Sequence, residues 1–304
     1  MSELQLVLAS TTWNTVDLVD LFLTHYQRLG FSHAFVMDYD SSDGSREVLD
    51  SARWQPFVRR VPFQGLASLD ASNLLLSAIR EACGPDAWVL FCDPDELLVS
   101  PVMQLDLSTL RGFDSEVAQV TFQRFNMTAP RSVARTAQTR LNARDALTLR
   151  IVRRATRSPD RDMLANILEP PWIYTAIPGK VLTRVGATRA IGPGDHEASL
   201  NAGRTVPAPE GTYLLHYPLR SYDEFVRKVG HAAEDFRANP HLPAYFGWQL
   251  RRWVRLSSDN ALYDEYLQQF VPDDDVERLV RDGTLHREER VSRLQTAPGA
   301  SLSA

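Results

Sequence analysis

An α/β fold with a mixed, mostly parallel central sheet and flanking helices is predicted by three features of this sequence. Short apolar runs of strand length at residues 4–9, 32–38, 57–61 and 87–92 alternate with segments whose apolar residues recur at helical spacing. Strand and helix alternating through residue 92 call for crossover connections, and crossovers pair strands in parallel. The run 87–92 is apolar throughout, as suits a strand buried in such a sheet.

The elements follow in order. Val19, Phe22, Leu23, Tyr26 and Leu29 form one face of a helix that Gly30 ends. The second strand breaks into Tyr39-Asp40-Ser41-Ser42-Asp43-Gly44-Ser45, a polar turn that leads into a short helix reaching about Ala52. Ala71, Leu74, Leu75, Ala78, Ile79 and Ala82 mark an amphipathic helix closed by Gly84-Pro85. From Glu116 the pattern changes. Residues 117–125 and 147–152 read as strands, separated by an Arg-, Thr- and Ala-rich stretch without period.

Residues 179–185 and 212–216 read as two more strands, and the Gly- and Pro-rich segment 191–211 between them reads as a loop. Ser221-Tyr222-Asp223-Glu224 is a capping box that starts a helix through Phe225, Val226, Val229, Ala233 and Phe236. Residues 245–256, 262–270 and 275–281 read as shorter helices. The expected organisation is a sheet domain over 1–235, a helical appendage over 236–291 and a disordered tail over 292–304.

Composition excludes several classes. The 33 Lys and Arg against 38 Asp and Glu leave a formal charge of −5, which supplies no general attraction to nucleic acid or to an anionic membrane. No stretch approaches the roughly 20 apolar residues that span a bilayer, and residues 1–8 carry no leader pattern, so a soluble, cytoplasmic protein is expected. Cys83 and Cys92 fall on a helix end and a buried strand, where reduced structural thiols are expected.

The run 87–92 opens into Asp93-Pro94-Asp95-Glu96. Two carboxylates one residue apart at the carboxyl end of a strand are placed to hold Mg²⁺ or Mn²⁺, which take hard oxygen ligands and leave positions for diphosphate oxygens. A solvated acidic turn bent by Pro94 would carry the same residues. Glu96 would support the pair from behind or cap the segment after it. In the turn after the second strand, carboxylates can accept hydrogen bonds from a nucleobase or ribose, although Asx-turns account for Asp40 and Asp43 without any ligand.

Together these stretches resemble the glycosyltransferase family 2 superfamily with its GT-A fold, and more closely the branch that includes family 92-like enzymes. The resemblance is carried by Asn14, His25-Tyr26, Leu29-Gly30, the run from Met37 to Ser45, and Asn73. It continues through Trp88 to Leu97, Pro178-Gly179-Lys180, His196, His216-Tyr217, Ser221, Glu224, Phe225 and Lys228, in family order over about residues 4–230.

What the resemblance implies is a nucleotide-diphospho-sugar donor, a saccharide or small-molecule acceptor, and transfer with inversion. Thr11, Asp38, Asp40 and Asn73 would lie on the donor, as would Asp93, Lys180, Arg220 and Lys228. Asp93 and Asp95 would hold Mn²⁺ or Mg²⁺, completed by His216 or, as the alternative, His196.

The chain departs from the family pattern where Asn14 is followed by Thr15 rather than Glu, and where the aromatic pair of the first helix runs His25-Tyr26. The acceptor-side base does not align, which leaves Asp195 and Glu197 beside His196 as candidates. Trp172 is the aromatic best placed for an acceptor ring; Tyr174, Trp248 and Trp253 are assigned to packing. Two rival functions stand beside transfer. Nucleotidyl transfer would be favoured by a Gly-rich basic loop after the first strand, which residues 10–14 lack, and a catalytically silent sugar- or nucleotide-binding protein would keep the fold alone. The helical end can cover the acceptor cleft, pair with a second copy or dock on another protein.

Overall fold

The computed structural model describes residues 5–63, 68–101, 116–136, 147–243 and 247–290. The expected tail, 292–304, lies outside the described residues. The chain divides into two compact units, Met1–Arg124 with Pro178–His216, and Phe125–Ile177 with Tyr217–Ala304. The expected boundary at 235 falls inside the second of these units. The helices after 235 form one unit with the middle of the chain, and the helix expected to close the sheet domain belongs to that second unit as well.

The first unit begins with β1 (Leu6–Thr12), α1 (Val19–Arg28), β2 (His33–Asp38), α2 (Ser45–Leu49), β3 (Val58–Arg60), α3 (Ser68–Cys83), β4 (Trp88–Phe91), β5 (Glu96–Val99) and β6 (Val117–Phe122). Next come β7 (Arg124–Thr128) and β8 (Leu149–Ile151), which belong to the second unit apart from Arg124. β9 (Lys180–Arg184), β10 (Thr188–Ile191), β11 (Ala198–Leu200), β12 (Arg204–Pro207) and β13 (Tyr213–His216) return to the first, and β14 (Leu285–Arg287) to the second.

Seven strands form the central sheet in the order β12-β6-β9-β4-β1-β2-β3. All its pairings are parallel except those of β9, which runs antiparallel to both β4 and β6. The fold class is therefore the mixed, mostly parallel α/β sheet expected. The chain leaves β1 on one side for β2 and β3, then returns to its other side for β4. Such a reversal of strand order opens a crevice at the carboxyl ends of the two central strands, here β1 and β4.

One core packs α3 onto the sheet through Ala71, Leu75, Leu76 and Ile79 against Val7, Ala9, Phe35, Met37, Val89 and Phe91, all buried. Burial on both faces explains why β4 reads as an unbroken apolar run. α1 buries Phe22, Leu23 and Tyr26, with the Tyr26 ring edge-on to Phe22 and Phe31. Gly30, at φ +92°, takes the left-handed position that ends this helix.

The segment 191–211 is not the loop expected. β10 and β11 form an antiparallel hairpin within the range 188–200, and β12 adds to the sheet edge beside β6. Its glycines and prolines mark turns between short strands, and strands of three or four residues leave too little alternation to be read.

In the second unit, β8 pairs antiparallel with β7 and with β14. The capping box is as expected, with Ser221 accepting the Glu224 N–H at the start of Tyr222–Ala238. Trp253 packs edge-on against Trp172 and Phe225. Glu265 accepts from Trp253 Nε1 at 3.0 Å and pairs with Arg252 at 2.5 Å, so its buried charge is matched. No helix among the described residues is long and apolar enough to cross a membrane.

Candidate active site

The acidic turn sits at the end of β4, beside the β1/β4 crevice. The Glu96 N–H bonds back to Asp93 O at 2.9 Å, closing a tight turn that leaves Asp93 and Asp95 half-buried. Glu96 is turned inward and fully buried. Its Oε1 meets the Arg124 guanidinium, while its Oε2 accepts the Asp93 N–H at 3.0 Å and lies 3.4 Å from Lys180 Nζ. Burial alone would raise this carboxyl, but Lys180 and Arg124 outweigh it and hold the group well below the usual carboxylate range.

Behind the turn, α1 grips β5. Tyr26 Oη donates to Glu96 O at 3.1 Å and accepts from Leu98 N at 3.2 Å, and His25 Nε2 lies 2.6 Å from Leu98 O. The His25-Tyr26 pair, part of the family resemblance, is thus a clamp on the strand after the acidic turn. β13 pairs antiparallel with β5 in a register that sets His216 opposite Glu96, and His216 Nε2 lies 3.7 Å from Asp95 Oδ2.

Lys180, expected on the donor, reaches the acidic turn from the start of β9. Its side chain is 1% exposed, and Nζ lies 3.1 Å from Asp93 Oδ2 and 3.0 Å from Gly194 O besides Glu96. Burial would lower this ammonium, yet Asp93, Glu96 and Asp195 raise it far above its ordinary value, so it stays charged. Asp195, at φ +60°, accepts from Ser72 Oγ at 2.6 Å. Its carboxyl is pushed up to about 6, by burial first, with Lys180 pulling the other way.

His196 Nδ1 lies 2.9 Å from Gly179 O and must donate to it, because a carbonyl only accepts. Burial, then Arg124 and Lys180, push His196 down to about 4, so it is neutral at pH 7. Glu197 is exposed and lacks the enclosed setting of Asp195.

On the β1 side of the crevice, Thr11 is half-buried and paired in register with Met37. Asp38 is buried. Its Oδ2 accepts from Arg46 Nε at 2.7 Å and Ser41 N at 3.1 Å, while its buried Oδ1 has no hydrogen-bond partner among the described residues. Asp40, at φ +55°, is exposed and pairs with Arg46. Asp43 accepts from Ser45 and from Val16 N, and Asn14 Oδ1 from Ser42 N, so the turns after β1 and β2 are stitched together. Asn73, expected on the donor, instead clasps Ile191, accepting from its N–H at 3.0 Å and donating to its carbonyl at 3.3 Å.

Arg220 and Lys228 belong to the second unit. There Arg220 is buried and pairs with Glu224 at 2.8 Å. Trp172, expected at an acceptor ring, is buried against Trp253 in the core of that unit.

Sequence reasoning missed Arg124 and Ser72. An arginine inside the apolar stretch 117–125 was a readable signal, since a guanidinium buried in a strand needs a carboxylate. Nothing local marked Ser72, whose partner is 123 residues away.

Two carboxylates and an imidazole are donors that Mn²⁺ and Mg²⁺ accept. Among the described residues, no group of three His, Cys, Asp or Glu side chains forms a ready-made cage.

No protein-family model matches the chain, and no curated protein matches it. Among solved structures it is similar to S. aureus TarS. TarS 1-349 in complex with UDP-GlcNAc matches over 77% of this chain and 67% of that one, at 13% identity and a TM-score of 0.43. The same fragment in complex with UDP matches over 77% and 66%, at 14% identity and 0.43. In a further structure of S. aureus TarS, the match covers 77% of this chain and 40% of that one, at 13% identity and a TM-score of 0.42. Similarity of this degree bears on neither activity nor substrate.

Proposed function

We propose that this protein is a metal-dependent glycosyltransferase of the GT-A type, in the family 2 superfamily and its family 92-like branch. It would move a sugar from a nucleotide-diphospho-sugar to an acceptor hydroxyl with inversion. The observation that carries this proposal is the placing of Asp93 and Asp95 at the end of β4, beside the β1/β4 crevice, with the enclosed Asp195 joined to the same turn through Lys180.

A divalent ion, Mn²⁺ or Mg²⁺, would be held by Asp93, Asp95 and His216 and would neutralise charge on the departing diphosphate. Asp38, whose buried Oδ1 lacks a hydrogen-bond partner among the described residues, would accept from a nucleoside N–H or hydroxyl. Asp195 takes the acceptor proton as the hydroxyl oxygen bonds to the anomeric carbon and the bond to the diphosphate breaks. A carboxyl poised at about 6 is ionised at neutral pH yet basic enough for that task. A cytoplasmic setting belongs to the same proposal.

The test is hydrolysis of a panel of nucleotide sugars with Mn²⁺. Slow donor hydrolysis lost on chelation supports transfer, whereas tight binding without turnover would indicate a silent binding module.

A further inference from the structure

The cation nearest Asp93 belongs to the protein itself. Lys180 Nζ has three N–H donors, and three acceptors surround it: Asp93 Oδ2 at 3.1 Å, Gly194 O at 3.0 Å and Glu96 Oε2 at 3.4 Å. With 1% of the side chain exposed, water is no competitor for these bonds. Arg124 supplies a second fixed cation on Glu96 Oε1. The acids of this cluster, Asp93, Asp95, Glu96 and Asp195, thus face two built-in positive charges. An ion bound to Asp93 would stand within a few ångström of the ammonium, and in a half-buried site that repulsion is large. A nucleotide diphosphate brings the negative charge that offsets it.

We infer that Lys180 is a positioning residue acting as the internal counter-ion of Asp93, so that the acidic turn rejects a bare divalent cation and accepts one only together with a nucleotide diphosphate. This rests on the metal site proposed above. A purely structural lysine would weaken ion binding when removed, or leave it unchanged; a counter-ion strengthens it.

The experiment measures Mn²⁺ retention by equilibrium dialysis, first with no nucleotide and then with saturating UDP or GDP, in wild type, Lys180→Met and Lys180→Gln. The glutamine variant removes the charge but keeps side-chain donors for Asp93 and Gly194, and is read where the methionine variant fails to fold. Wild type is expected to retain bare Mn²⁺ at least about tenfold more weakly than with nucleotide, and the variants to retain bare Mn²⁺ at least about tenfold more tightly than wild type, with that gap narrowing once nucleotide is added. Wild type that binds bare Mn²⁺ as tightly as with nucleotide, or a folded variant that binds it no more tightly than wild type, overturns the inference and leaves the metal site standing. Absence of Mn²⁺ binding in every arm, nucleotide included, removes the metal site and the inference together.

Discussion

His216 Nε2 stands 3.7 Å from Asp95 Oδ2, although the two residues are far apart in the chain, because β13 lies antiparallel on β5 with His216 opposite Glu96. Strand register, rather than a local motif, brings imidazole and carboxylate to one place. If they share an ion, Asp95→Ala should lower Mn²⁺-supported donor turnover on the order of 10²–10³-fold, the usual cost of losing one group that stabilises developing charge. The melting temperature should change little, since the buried anchor of this turn is Glu96 rather than Asp95. Turnover assays with and without chelator, beside thermal melts, check both halves. Activity that survives both the substitution and chelation would sink the metal assignment.

Asp195 should impose an acid limb on kcat/KM with an apparent pKa near 6, rising as the carboxylate ionises. The Ser72 hydroxyl favours the ionised form, so Ser72→Ala should move that limb to higher pH. Stability runs the opposite way. The folded protein holds this proton up to about pH 6, while the unfolded chain releases it near the ordinary value of about 4. Folding stability from this group therefore falls as pH rises between those values. Asp195→Asn should melt higher than wild type at pH 7.5, with the gain shrinking towards pH 4, while turnover is lost.

Much of the first unit was legible from periodicity. The alternation of apolar strands with α1 and α3, and the acidic turn after β4, follow from residues that report their own burial. What stayed hidden was set by distant partners. Asn73 looks like a polar group available to a donor, but α3 lies against β10, whose Ile191 takes its amide. Lys180 looks like a phosphate ligand until the turn at Asp93 and Gly194 close over it. Trp172 stands in a stretch with no period, and only the helix carrying Trp253 makes it core.

Gly179 precedes Lys180 at a point where the backbone of β6 comes too near for any side chain. A Cβ there would stand 2.1 Å from Phe122 O and 3.2 Å from its carbonyl carbon. Both contacts are backbone, and Phe122 is paired in register with Lys180, so relief requires the β6–β9 pairing to part. Gly179→Ala is expected to cost about 1–3 kcal/mol or more, as overpacking does, and to disturb Lys180 as well. Urea unfolding measures the loss. A midpoint equal to wild type would show that this approach is looser than described.

Glu96 has no exposed surface, with Arg124 on one oxygen, and Lys180 and the Asp93 N–H on the other. Glu96→Ala removes the carboxylate that two buried cations share, leaving Lys180 with Asp93 and Gly194, and should cost about 3–5 kcal/mol, the range for breaking a buried pair by removing one partner. Glu96→Gln keeps an acceptor for Arg124 and should lose less. The pH dependence follows from the depressed carboxyl. Because the folded value lies below the unfolded one of about 4.3, this group's stabilisation is present above that pH and is lost as pH falls through the folded value. Wild type should therefore hold its advantage over Glu96→Gln at neutral pH and surrender it in acid. Paired urea titrations at pH 7 and pH 3 read the difference. An advantage unchanged between them would mean that hydrogen bonding, not charge, is what Glu96 contributes to the turn.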